Sequence, residues 1–212
     1  MAMGFRSSAA DEVLADYAAR IEREAPPGFQ PVGDRDTMLL PIGPQTGWFL
    51  HSLILAKRPP RILELGTSYG YSTLFLAEAA QQTGGKVISV DVADYKQAYA
   101  RDMLARAELD GTVEFRTGDA VAIIEADKEP FDFVLLDIWK ELYVPCLKLL
   151  HPRLADEGII AADNMIEPAD VREQARAYRA AVGALPDMQS TLLPVGSGIE
   201  LSVRWTAGNE KL

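Results

Sequence analysis

A mostly parallel α/β sheet with helices on both faces and a closing hairpin is the fold this sequence predicts, and three observations predict it. From residue 61 onward, short apolar or β-branched runs alternate with amphipathic segments of helical period, as parallel strands joined by helical crossovers require. The runs at 61–65, 131–137 and 158–162 each end in a glycine-bearing or polar segment (LELGTSYGYS, VLLDIWK and AADN), at the strand ends where such sheets bind ligands. The last two runs lack a helix between them, so one of that pair is expected to lie antiparallel.

The elements follow in order. Ser8 with Asp11 or Glu12 forms a capping arrangement, and Val13, Leu14, Tyr17, Ala18 and Ile21 recur at helical spacing up to Glu24. Pro26-Pro27-Gly28 stops that helix, and residues 26–46, rich in Pro, Gly and Asp, read as a loop able to cover a pocket. Thr46 is placed to cap a second helix through Trp48, Phe49, Leu50, Leu53, Ile54 and Leu55, ended by Lys57-Arg58 and Pro59-Pro60. Strands are predicted at 61–65, 86–91, 112–116, 131–137 and 158–162. Helices are predicted at 71–82, 94–109, from Asp119, 142–150 and 168–182. Runs at 188–193 and 199–205 flank Gly196-Ser197-Gly198 as a hairpin. One domain is expected, with residues 1–56 as N-terminal helices and lid, and 57–212 as the core.

A chain of 212 residues is long enough to bury one such domain, and 48% hydrophobic with 25% charged residues is ordinary for a soluble globular protein. A formal net charge of -10 leaves no basic stripe to neutralise phosphates, which favours a small-molecule substrate over nucleic acid. The single cysteine, Cys146, sits in an apolar helical pattern and reads as a core residue in a reducing compartment. No run approaches the ~20 apolar residues of a membrane span, and residues 1–10 lack the apolar core of a signal peptide. The expected setting is cytoplasmic, away from membranes.

The most informative run is FDFVLLDIWK, a buried strand ending in Asp137 with Trp139 and Lys140 just beyond. GIIAADN supplies a second acidic strand end at Asp163 and Asn164. Asp137, Asp163 and Asn164 offer only oxygen ligands, the set a hard divalent cation prefers: Mg²⁺ first, with Ca²⁺ or Mn²⁺ as alternatives. Neither His51 nor His151 stands at a strand end, so nothing points to zinc and both read as surface or packing residues. Beside a cation, Lys140 is favoured as the neutral amine and becomes a usable base. Gly66 and Gly70 let the backbone approach a ligand at a helix N-terminus, although G-x-x-x-G departs from the three-glycine dinucleotide pattern. Asp91, at the end of the next strand, is placed to accept from ribose hydroxyls, and Gly118-Asp119-Ala120 would border a base.

Taken in order, these segments resemble the cation-dependent, S-adenosylmethionine-dependent O-methyltransferases that include the catechol and caffeoyl-CoA enzymes, over residues 45–205. LELGTSYGYS looks like the family's adenosylmethionine-binding turn, VLLDIWKELY is similar to the catechol enzyme's metal-and-base segment, AADN matches the second metal-binding segment, and LPVGSGI is similar to the ending of the plant and bacterial branch. The resemblance implies a Rossmann-like class I methyltransferase fold with a seven-stranded sheet. It implies that Gly66, Ser68 and Ser72, with Gly70 in the same turn, hold the methionine and sulfonium end of the cofactor, that Asp91 binds the ribose, and that Val92, Asp119, Ala120, Ile138 and Trp139 surround the adenine and adjoining wall. Asp137, Asp163 and Asn164 would be the metal ligands, Lys140 the base, a small aromatic vicinal diol the substrate, and a homodimer the assembly. Ile138 replaces a His of the catechol enzyme, and no carboxylate near Leu193 matches the one that orients catechol. A metal-independent methyltransferase of the same fold, a nucleotide-binding oxidoreductase and a non-catalytic binding protein are the competing readings.

Overall fold

The computed structural model describes residues 4–24 and 36–205. Helices α1 (Ser8–Glu24) and α2 (Pro44–Lys57) precede the alternating core of β1 (Arg61–Leu65), α3 (Tyr71–Thr83), β2 (Lys86–Asp91), α4 (Asp94–Arg106), β3 (Val113–Thr117), α5 (Ala120–Ala126), β4 (Phe131–Leu136), α6 (Tyr143–Leu150), β5 (Leu154–Ala162) and α7 (Arg172–Gly183). The chain closes with β6 (Met188–Leu193) and β7 (Ile199–Arg204). Seven strands form one sheet in the order β3-β2-β1-β4-β5-β7-β6. As expected, one strand of the last pair is reversed: β7 runs antiparallel to both β5 and β6. Strand order reverses between β1 and β4, which pair in parallel, so their carboxyl ends open the crevice where such sheets bind ligands.

The two-residue period of the strands distributes the core to both faces. Ile62 and Phe133 pack with Leu50, Ile54 and Phe75 under α1 to α4, whereas Leu63, Leu65 and Val134 pack with Tyr143, Leu147 and Tyr178 under α5 to α7. Helix α3 is buried from Tyr71 to Ala80, because α1 and α2 cover the side it turns away from the sheet. Cys146 is buried and free, as its apolar setting predicts.

Several boundaries differ from the sequence expectation for local reasons. The Ser7 hydroxyl, not Ser8, accepts the Ala10 amide at the start of α1, while Asp11 turns back to the Phe5 amide at 2.8 Å. Thr46 lies inside α2, which starts at Pro44 after Gly43, since proline fits a first turn where its missing N–H is no loss. Helix α4 stops at Arg106, and Glu108 in the left-handed region (φ 60°) redirects Leu109 into the core. Residues 169–171 form a 3-10 turn before α7. Of the loop expected at 26–46, residues 26–35 fall outside the described residues. No helix among the described residues is long and apolar enough to cross a membrane.

Two buried glutamates show how differently the interior treats a carboxylate. Glu64, in the middle of β1, accepts from the hydroxyls of Ser72 (2.5 Å), Thr73 (2.6 Å) and Ser89 (2.5 Å). Burial pushes its carboxyl up to about 7, against those hydroxyls, which favour the charged form. Glu78 is also raised by burial, but the ring of His51 at 2.5 Å, the Arg6 amide and Gln82 outweigh it and hold the carboxyl below the usual range.

Linkage gives these shifts opposite signs. A carboxyl raised on folding adds stability that is complete below the unfolded value of about 4.3 and is lost as pH rises through the folded value, whereas a lowered one adds stability that disappears in acid. In the ligand-free protein, Glu64→Gln should therefore flatten the decline in Tm between about pH 4.3 and the folded value near 7. Glu78→Gln should flatten part of the fall below about pH 4.3. Thermal unfolding across pH checks both, and a parent and E64Q with parallel profiles would contradict the first.

Candidate active site

A cavity of about 520 Å³ opens at the carboxyl ends of β1, β2 and β4. Gly66, Ser68, Ser72, Asp91, Val92, Asp119, Ala120, Asp137, Ile138, Trp139, Lys140, Asp163 and Asn164 all line it, so segments up to a hundred residues apart in sequence meet around one space. Gly70 is not among the lining residues. It stands in the left-handed region (φ 86°) before α3, where a Cβ would lie 2.7 Å from that of Ala100, so packing against α4 requires glycine there.

The turn after β1 is held from both sides. Gly66 (φ 104°) passes so close to the main chain after β4 that a Cβ would lie 2.0 Å from the Asp137 carbonyl oxygen. The Gly66 amide donates to Val90 O and the Asp137 amide to Leu65 O, both at 2.9 Å, which stitches three strand ends together. Asp91 accepts the Ser68 amide at 2.7 Å on one carboxylate oxygen and the Ala93 amide at 2.9 Å on the other. Each oxygen keeps a lone pair for a further donor, as a ribose diol would supply. Asp119 caps α5 through the Ala122 amide at 2.9 Å. Ser72 lines the wall while its hydroxyl is committed to Glu64.

Asp137, Lys140 and Asp163 gather at one end. The Lys140 Nζ lies 3.6 Å from Asp137 Oδ1 and donates to Tyr143 Oη at 2.5 Å and to Ile138 O at 3.2 Å. Burial lowers the basicity of Lys140, opposed by the charges of Asp137 and Asp163. Burial raises Asp137, opposed by Lys140, and burial together with the Asp137 charge pushes Asp163 up to about 8. Asp163 Oδ1 is buried with no hydrogen-bond partner. A buried oxygen without a partner beside a second carboxylate is costly unless a cation completes it, so these residues fit a hard divalent ion. Asn164, in the left-handed region (φ 57°), also lines the cavity. Among the described residues no three His, Cys, Asp or Glu side chains are grouped to hold a metal, and the predicted set Asp137, Asp163 and Asn164 would offer two carboxylates and an amide.

The roof and outer wall were not individually legible. Asp36, Leu39, Leu40, Pro41 and Ile42 line one side, and Leu142, Pro168, Asp170 and Val171 the other. The roof is strapped down: Asp36 pairs with Lys96 at 2.8 Å and accepts from Tyr95, Arg20 donates to Thr37 O at 3.1 Å, and Glu24 accepts the Leu39 amide at 2.7 Å. Trp139, 66% exposed, and Val92, 70% exposed, flank the mouth as free apolar surface. Glu64 was readable in principle, because a charged residue amid the apolar run RILEL calls for a buried partner set. Both histidines pack as expected, His51 against Glu78 and His151 against Asp187 at 2.7 Å. A second cavity, of about 500 Å³, lies at the opposite ends of β1 to β3, where Arg61 and Arg116 are tied to Asp127 and Lys86 to Gly111 O.

Comparison with known proteins agrees with this geometry. The family model described as O-methyltransferase matches residues 34–205. A catechol O-methyltransferase of Niastella koreensis is 32% identical over 166 residues, covering 72% of this chain and 74% of the relative. Caffeoyl-CoA O-methyltransferase 2 of Populus trichocarpa is 28% identical over 179 residues, covering 74% and 72%. Among solved structures, an O-methyltransferase from Bacillus cereus in complex with SAH superposes with a TM-score of 0.73 at 28% identity, covering 94% of this chain and 91% of that one. The strand order, the cavity that collects the predicted residues and these matches together place the chain in the S-adenosylmethionine-dependent O-methyltransferase family of the catechol and caffeoyl-CoA type.

Proposed function

We propose that the protein methylates one hydroxyl of a vicinal diol on a small aromatic molecule, using S-adenosylmethionine, a divalent cation and Lys140 as general base. The observation that carries this is the partnerless Asp163 Oδ1 beside Asp137, with Lys140 on the same rim and the glycine turn across the cavity. Asp137, Asp163 and Asn164 would hold the cation, which when bound lowers the pKa of a coordinated hydroxyl. Gly66, Ser68, Ser72 and Asp91, with Val92, Asp119, Ala120 and Ile138, would hold S-adenosylmethionine, which would supply the electrophilic methyl.

The chain's own contributions follow from position. Lys140, with its basicity lowered by burial, is suited to take the proton of the acceptor hydroxyl at Nζ. Leu39 to Ile42 above and Trp139 at the side exclude water and orient an aromatic ring, and holding acceptor oxygen and methyl donor in line accounts for much of the rate. We read residues 1–56 as the lid-bearing part over a core of 57–212, working as a cytoplasmic homodimer.

Release of S-adenosylhomocysteine from a panel of aromatic diols should require Mg²⁺ and stop on chelation. Chelator-insensitive turnover would return the reaction to the metal-independent class. Asp163→Ala should weaken Mg²⁺ dependence and cut turnover by about 10- to 100-fold or more. Lys140→Met should lower kcat by about 10²–10⁴ with little change in acceptor KM, and full activity near neutral pH would remove its role as base.

Acceptor charge gives a further expectation. Among the described lining residues the cations are Lys96, paired with Asp36, and Lys140, set against the carboxylates of Asp36, Asp91, Asp119, Asp137, Asp163 and Asp170. A free diol should therefore exceed its coenzyme A thioester in kcat/KM by about tenfold or more, because a polyanion would face like charge at the mouth. Paired assays with caffeic acid and caffeoyl-CoA decide it, and the reverse preference would contradict it.

A further inference from the structure

We infer that Tyr143 is a positioning residue whose hydroxyl fixes the direction in which Lys140 faces the substrate. This rests on Lys140 being the base. Tyr143 opens α6 directly after the 3-10 turn Lys140–Leu142, and its side chain is fully buried. Its oxygen lies 2.8 Å from Leu136 O at the end of β4, 3.2 Å from Asp163 O beyond β5, and 2.5 Å from Lys140 Nζ. The ring packs edge-on against buried Tyr178, with centroids 5.5 Å apart.

Counting protons sets the polarity of this node. A phenol carries one proton, and both neighbouring main-chain oxygens can only accept, so that proton goes to a carbonyl, Leu136 O being the nearer. The phenol oxygen then has only lone pairs left for Lys140, which must donate. Lys140 donates a second N–H to Ile138 O at 3.2 Å. A neutral amine has two N–H bonds and one lone pair, and here two fixed acceptors take the two N–H bonds. The lone pair is left for the third position on Nζ, the one from which the protonated amine points an N–H toward Asp137 Oδ1, 3.6 Å away on the cavity rim. Without the Tyr143 oxygen, an N–H could rotate into the cavity and the lone pair away from it. A lysine stem is otherwise flexible, and this contact together with that to Ile138 O restrains its end.

Purified Tyr143→Phe and Lys140→Met proteins are to be assayed with two acceptors, catechol and 4-nitrocatechol, whose acidified hydroxyl needs no base. With catechol, Y143F should lose about tenfold or more in kcat, with acceptor KM and calorimetric affinity for S-adenosylhomocysteine within about threefold of the parent. With 4-nitrocatechol both variants should stay within about threefold of the parent. Equal losses of Y143F on both acceptors, or no loss on either, would overturn the inference. If K140M keeps full activity on catechol, the base assignment itself fails. If K140M shows the acceptor-dependent pattern and Y143F does not, only the positioning role fails. Tyr178→Phe, which removes a buried hydroxyl without a partner from the adjoining ring, is the packing control. Should Y143F not fold, Tyr143→His keeps a polar ring but is too short to reach Lys140, and it is held to the same outcomes.

Discussion

The site depends on one close approach, that of the Gly66 backbone to the carbonyl of Asp137. No side chain fits between them, since a Cβ there would lie 2.0 Å from the oxygen. Because the two strands are neighbours in register, this contact ties the turn after β1 to the segment that carries Asp137, Trp139 and Lys140. The turn after β1 and the rim that carries Lys140 therefore sit at a separation set by backbone sterics and sheet hydrogen bonds, not by mobile side chains. Positioning of that kind is what an in-line transfer between two bound molecules needs most.

Around this contact the protein concentrates desolvated carboxylates and treats each differently. Glu64 is surrounded by three hydroxyl donors, and so its charge, when present, is spread into a hydrogen-bond network beneath the turn. Asp163 has the Asn164 main-chain N–H in its favour and Asp137 against it, but one buried oxygen lacks any partner. Burial without a donor destabilises the folded chain, and a cation that relieved it would recover that cost as affinity. Tyr143 joins the two levels, since its hydroxyl touches the carbonyls at the ends of β4 and β5 and the amine that faces the cavity. The fold's stability and the site's chemistry thus draw on the same few atoms.

What the sequence made legible follows the sheet. Strand runs such as FDFVLL and GIIAA, and the residues that end them, could be read because a buried strand has a strong local signature and its carboxyl end has a known direction. Positions that depend on three-dimensional neighbours were not readable. Gly70 looked like a ligand-facing glycine, yet its need for a missing side chain comes from Ala100 on another helix. Thr46 looked like a cap, yet proline at position 44 starts the helix earlier and leaves the hydroxyl buried beside Gly196. Lys96, Asp170 and Val171 carry no local signal of facing a cavity, because helix and loop residues acquire that role only through packing.

The same division separates chemistry from specificity. Strand ends place Asp91, Asp137 and Asp163, whereas other parts of the cavity wall come from segments outside the sheet, Asp36 with Leu39 to Ile42 and Pro168 with Asp170 and Val171. Those segments are nevertheless fixed from behind. Ser197 O accepts the Ile166 and Glu167 amides at 2.9 and 3.0 Å, and Gly198 (φ 93°) leaves no space for a Cβ against the Ile166 amide, 2.8 Å away. Gly196, in turn, leaves none against the Thr46 hydroxyl at the start of α2. The closing hairpin therefore braces both the loop that follows Asn164 and the helix that carries the roof. Side chains on the two loops can then vary while the turn GSG and the strand ends stay as they are, because loop positions held from behind by backbone contacts leave their outward side chains free of packing demands.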